Sequence, residues 1–287
     1  MYQDDKTPGA AREANAAPNQ SPVTGSADMP KTLLEVEKVS KQFFLSGTKD
    51  SFWVFKDIDL KVYEKEYLSV LGHSGCGKST LLNIIAGIDT ANSGNIFLNG
   101  REVEGPGLDR MVVFQNFALM PWLTVFGNVR LAVKAANPAW TKKEIADWVN
   151  KYLDMVGLAG AANKKPWELS GGMRQRCGIA RAFSVLPSIL LLDEPFAQID
   201  ALTRGVIQDE LVRMWEETGI TIFMVTHDVD ESILLSDRIL LMSPGPNAQI
   251  AMEIEVDLPR PRLRATIIEN PKYYEIRNKI IKFLSQR

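Results

Sequence analysis

Gly72-His73-Ser74-Gly75-Cys76-Gly77-Lys78-Ser79-Thr80 fits the pattern G-x-x-x-x-G-K-[ST]. A glycine-rich loop of this kind turns a strand into a helix and aims successive backbone N–H groups at nucleotide phosphates. Lys78 supplies positive charge to the β- and γ-phosphates, and Ser79 supplies an Mg²⁺ ligand. Kinases, GTPases and motor ATPases share this loop, so other residues must narrow the chemistry. Ile189-Leu190-Leu191-Leu192 runs into Asp193-Glu194 and Pro195. One carboxylate there can hold Mg²⁺ while the next faces an attacking water, which suits phosphoryl transfer to water. Gln115 follows the apolar run Met111-Val112-Val113-Phe114, where an amide can touch metal or water. His227 follows Val225-Thr226, where an imidazole can reach the γ-phosphate.

These groups need strands to present them. Tyr67-Leu68-Ser69-Val70-Leu71 feeds the phosphate loop, and Ser79 to Ala86 reads as the helix after it. Residues 110–114, 189–193, 221–226 and 238–242 read as buried strands alternating with helical patterns, the mark of a mostly parallel α/β core. Leu33 to Val39 and Phe52 to Val62 alternate in polarity and read as an antiparallel pair. Residues 116–172 read as an inserted helical subdomain. Thr141-Lys142-Lys143-Glu144 opens like a capping box, and Ile145, Trp148, Val149, Tyr152 and Leu153 recur at helical spacing.

The chain has 287 residues, 45% hydrophobic, with a net charge of −2. That charge gives no global basic field for nucleic acid, and no nucleic-acid partner is expected. No apolar run approaches the roughly 18 residues that span a bilayer. The two cysteines, Cys76 and Cys177, lie in motif regions and do not form a disulfide framework. Residues 1–30, rich in Ala, Pro, Asn and Ser, read as a disordered leader without a secretory signal. Residues 257–287 form a basic tail, and Pro271 opens a helix there with Tyr273, Ile276, Ile280 and Phe283 on one face.

Taken in order, the phosphate loop, Gln115, Leu169-Ser170-Gly171-Gly172-Met173-Arg174-Gln175-Arg176, Asp193-Glu194 and His227 resemble the nucleotide-binding subunit of ABC transporters. The resemblance covers residues 31–256 as one ATPase domain and implies a P-loop NTPase (RecA-like) fold, with an antiparallel β subdomain and the helical insert. It also implies ATP and Mg²⁺ as cofactors. Gly72 through Thr80 would hold the nucleotide, Ser79, Gln115 and Asp193 the metal, and Glu194, His227, Gln115 and Lys78 would serve hydrolysis. Ser170, Gly171 and Gly172 would close over ATP held by a second ATP-binding subunit, as a homodimer or a heterodimer. Phe43 maps to the adenine-stacking aromatic, with Phe44 adjacent and equally flat. Asp200 matches the family's dimer-spanning loop, where Gln198-Ile199 replaces the usual Ala-Leu.

Phe117 to Val125 lies where the family docks a transmembrane permease subunit. Its Leu119-Met120-Pro121-Trp122-Leu123-Thr124-Val125 wording is similar to importers of nitrate, sulfonates, taurine and bicarbonate. The tail wording, Leu258-Pro259-Arg260-Pro261-Arg262 and Asn270-Pro271-Lys272-Tyr273-Tyr274, is closer to the nitrate/bicarbonate branch. The resemblance thus implies an ATPase that powers import of a small anion from the cytoplasmic face of the membrane. An extracytoplasmic binding protein would select the substrate. A sulfonate or taurine importer and a non-transport ABC ATPase remain the alternatives.

Overall fold

A computed structural model describes residues 30–44 and 51–285; the leader expected at residues 1–30 lies outside them but for Pro30. The chain order is β1 (Thr32–Phe44), β2 (Ser51–Tyr63), β3 (Tyr67–Gly72), α1 (Lys78–Ile85), β4 (Ser93–Leu98), β5 (Arg101–Glu102) and β6 (Arg110–Val113). Then come α2 (Val125–Ala136), α3 (Lys142–Met155), α4 (Gly171–Phe183), β7 (Ile189–Asp193), α5 (Ala201–Thr218), β8 (Thr221–Thr226) and α6 (Val229–Leu235). The chain finishes with β9 (Arg238–Met242), β10 (Ile250–Glu255), α7 (Arg264–Ile267) and α8 (Pro271–Leu284).

The strands form two sheets. A four-stranded sheet, ordered β2-β1-β4-β5, is antiparallel throughout; a six-stranded sheet, ordered β10-β9-β3-β8-β7-β6, is parallel except for its edge strand β10. The expected α/β class, with a mostly parallel core and a separate antiparallel sheet, is therefore what the chain adopts. The apolar strand runs have a direct cause: the parallel sheet is covered on both faces. In β7, Leu190 and Leu192 join one core cluster while Ile189 and Leu191 join the other. In β8, Ile222 and Met224 divide from Phe223 and Val225 in the same way. One cluster packs the sheet against the helices, and the second packs it against α1 and the antiparallel sheet.

Within residues 116–172 helix is confined mainly to α2, α3 and two short 3₁₀ turns, Ala159–Ala161 and Pro166–Glu168. Residues 116–124, read as helical from sequence, form an irregular loop. Phe117 and Ala118 adopt left-handed backbone at φ 66° and 41°, which breaks helix propagation. Buried Asn128 fills the loop, accepting from Met120 N–H and donating to the carbonyls of Met120 and Thr124. The capping box at Thr141 and Glu144 forms in both directions. Ile145, Val149, Tyr152 and Leu153 are buried, with Trp148 packed beside them.

Candidate active site

The strand ends present the site. The parallel register aligns Leu71 with Thr226 and Asp193 with Val225, so the residues following β3, β7 and β8 emerge on one edge of the sheet. After β3 the chain turns through Gly75 (φ 82°) and Gly77 (φ 101°) before α1 begins. At Gly77 a side chain is excluded twice over. Its φ is left-handed, and a Cβ would lie 2.6 Å from Val54 Cγ1 and 2.8 Å from Phe55 Cδ1. Lys78 is buried at 5% exposure, and its ammonium donates to the carbonyls of Gly72 (2.8 Å) and His73 (3.0 Å). Cys76 is buried beside it, and burial pushes its thiol up, away from the reactive thiolate.

Ser79 Oγ donates to Asp193 Oδ1 at 2.7 Å, joining the first turn of α1 to the end of β7. Burial raises the Asp193 carboxyl above its ordinary range; the Ser79 hydroxyl opposes that and the adjacent Glu194 reinforces it. Glu194 itself sits in left-handed backbone at φ 42°, with its N–H bonded to Val225 O at 3.0 Å. Such a conformation costs a carboxylate-bearing residue on the order of 1 kcal/mol and clusters at functional sites. Here it turns the Glu194 side chain toward two partners. His227 Nδ1 lies 3.2 Å from Glu194 Oε2, and Gln115 Nε2 donates to the same oxygen at 3.4 Å. Ser79, Gln115, Asp193, Glu194 and His227 therefore converge, though they are drawn from four strand ends.

The remaining expected residues are placed separately. Ser170 is the N-cap of α4, its Oγ accepting from Met173 N–H at 3.3 Å. Gly172 packs so closely on α5 that a Cβ would meet Thr203 Cγ2 at 2.6 Å, and Gly171 faces the Gln198 carbonyl. Among the described residues no hydrogen bond joins Ser170–Gly172 to the phosphate loop. Asp200 caps α5 through Thr203 N–H, and those hydrogen bonds hold its carboxyl below its ordinary range. Phe43 and Phe44 are 40% and 68% exposed, so neither serves the core; Lys41 Nζ stands 5.2 Å from the Phe43 ring centre. Trp122 is 67% exposed on the loop after Gln115. Arg181 of α4 holds that loop, donating to Ala118 O at 2.7 Å.

The donor set suits Mg²⁺. Ser79 Oγ and Asp193 Oδ1 are hard oxygen donors 2.7 Å apart, the ligand type that Mg²⁺ takes in small number from a protein. Among the described residues no group of three His, Cys, Asp or Glu side chains converges as a self-sufficient cage. No described helix is long and apolar enough to cross a membrane.

Sequence reasoning missed one layer behind these groups. Gln208 and Glu231 are buried at 0% and 6% exposure and join α5 to the His227 turn. Buried polar residues of that kind leave no motif, although Gln208 interrupting the apolar face of α5 was a usable signal.

A loop of this shape between a parallel strand and a helix, with a serine-aspartate pair joining it to the end of the next strand but one, defines a P-loop nucleotide-binding cassette. A dimeric ATP-binding cassette solved in a post-hydrolysis state with ADP and Pi matches with a TM-score of 0.70 at 30% identity, over 79% of this chain and all of that one. The family description "ABC transporter" fits residues 55–197. The bicarbonate transport ATP-binding protein CmpD of Synechococcus elongatus is 45% identical over 268 residues, 93% of this chain and 96% of CmpD. In the same organism, the nitrate import ATP-binding protein NrtD is 46% identical over 81% of this chain and 85% of NrtD. The nitrate import protein NrtC is 50% identical over 88% of this chain, which spans 38% of NrtC. The chain belongs to the ABC transporter family of ATP-binding proteins.

Proposed function

We propose that this chain is the ATP-hydrolysing subunit of an ABC importer for a small anion, nitrate/nitrite or bicarbonate. The observation that carries the reading is the meeting of Gln115 and His227 on one oxygen of Glu194, next to the Ser79–Asp193 pair. The loop N–H groups and Lys78 bind and orient the phosphates. Ser79, Asp193 and Gln115 would hold Mg²⁺, which supplies charge neutralisation across the phosphate oxygens. Glu194 accepts the proton of the attacking water, and His227, beside the same carboxylate, contacts the γ-phosphate. In-line attack then needs positioning more than covalent chemistry.

Ser170–Gly172 complete the site of a second copy or a sister subunit, since small residues at a helix N-terminus let backbone N–H groups approach a phosphate. The exposed Trp122 with Met120 and Leu123 forms the seat for a permease helix at the inner face of the membrane. The anion assignment draws on the nitrate and bicarbonate relatives. Reconstitution with its permease and a binding protein loaded with nitrate, bicarbonate or an alkanesulfonate tests it. Stimulated hydrolysis with one loaded anion names the substrate, and hydrolysis indifferent to all three overturns the nitrate/bicarbonate assignment in favour of another anion or a non-transport ATPase.

A further inference from the structure

The tail reaches the back of the His227 turn through a chain of hydrogen bonds. Arg264, the first residue of α7, donates to Gln208 Oε1. An arginine has only donors, so it fixes the Gln208 amide with its oxygen outward and its NH₂ inward. That NH₂ donates to Glu231 Oε1 at 2.9 Å. Thr226 Oγ1 donates to the other Glu231 oxygen at 3.0 Å and accepts from Asp228 N–H at 3.0 Å. Asp228 Oδ1 in turn accepts from Glu231 N–H at 3.0 Å. The links run unbroken from the tail to the turn, and His227 stands between the two residues, Thr226 and Asp228, that the chain clamps. The tail also grips α6 from outside, where Tyr273 Oη and Arg277 Nε both donate to Asp230 Oδ1, at 2.7 and 2.8 Å.

We propose that Arg264, Gln208 and Glu231 are positioning residues for His227, so that the C-terminal tail is a working part of the hydrolytic site. The inference rests on His227 acting at the γ-phosphate. Without Arg264 the buried Gln208 oxygen loses its donor, and the amide is held at the Glu231 end alone. The Thr226 hydroxyl then loses its fixed acceptor, and the turn bearing His227 loses its register.

The test compares the wild-type full chain with Arg264→Met, which keeps the stem and removes the donors, and with Arg264→Lys, which restores one donor. Hydrogen exchange over residues 226–232 and steady-state ATP hydrolysis are read together. In Arg264→Met the Asp228 and Glu231 amides should exchange faster, and kcat should fall on the order of tenfold with KM within about twofold. Arg264→Lys should recover most of both. Unchanged exchange over 226–232, or a fall in kcat no larger than the loss of folded protein, overturns the inference. Absence of hydrolysis in the wild type would refute the ATPase reading instead, and the exchange comparison would still decide the positioning.

Discussion

Glu231 links stability to pH in a direction opposite to most carboxylates. Burial raises its pKa from 4.5 to about 7, with the nearby Asp228 carboxylate adding to the shift; the Thr226 hydroxyl, Arg204 and His227 oppose it. A raised folded-state pKa means that the native protein binds a proton the unfolded chain releases. The stabilisation is full below pH 4.5 and is lost as pH rises through about 7. At 1.36 kcal/mol per pKa unit the total is about 3 kcal/mol, most of it falling between pH 5 and 8. Glu231→Gln removes the titration but leaves a permanent offset from mismatched hydrogen bonds, so only the slope is diagnostic. Urea denaturation at half-unit steps from pH 5 to 8 gives the unfolding free energy of both proteins. The wild type should lose about 2.5 kcal/mol relative to the variant across that range. Parallel curves would refute the reasoning, because they would mean that Glu231 stays ionised in its buried site.

Gly172→Ala forces a methyl into the 2.6 Å approach to Thr203 and should destabilise by about 1–3 kcal/mol in thermal unfolding, before any effect on nucleotide. Glu66→Leu breaks a buried bidentate pair in which Arg238 donates to Glu66 at 2.6 and 3.0 Å. Glu253 still faces Arg238, so the loss should sit near the low end for such pairs, about 3 kcal/mol by denaturant midpoint. Glu194→Gln should retain ATP and lose turnover by a factor on the order of 100 or more, as read by phosphate release; rapid turnover would remove Glu194 from the role of base. Lys78→Ala should instead weaken nucleotide binding itself, measured by equilibrium titration, because the ammonium is the one charge held within the loop by Gly72 and His73.

The parts legible from sequence were those in which one run of residues carries both the element and its purpose. Ile189 to Leu192 reads as a strand because both faces are covered, and the carboxylates after it had to emerge at its end. The phosphate loop declares itself through Gly77, whose position tolerates neither another φ nor a Cβ. What stayed hidden was built from distant parts. The loop at 116–124 depends on left-handed Phe117 and Ala118 and on Asn128 bonding from α2, none of which hydrophobic spacing records. Gly172 reads as a ligand contact, yet in this chain it also sets how closely α4 meets α5. The support for His227 joins Arg264, Gln208, Glu231 and Thr226 from separate elements, and only the folded chain brings them together.

The hydrogen-bonded register of β6, β7 and β8 makes the sheet a ruler as well as a scaffold. Val113 pairs with Leu192 and Asp193 with Val225, so Gln115, Glu194 and His227 inherit their spacing from a ladder rather than from flexible loops. A one-residue slip of β7 would put Leu192 in the place of Asp193 and turn every core side chain of that strand to the wrong face. Burial on both sides makes that slip prohibitive, so the alignment of Gln115, Glu194 and His227 is protected by the same apolar packing that folds the domain. The distances among the strand-end groups are thus set by the sheet and not by the helices around it.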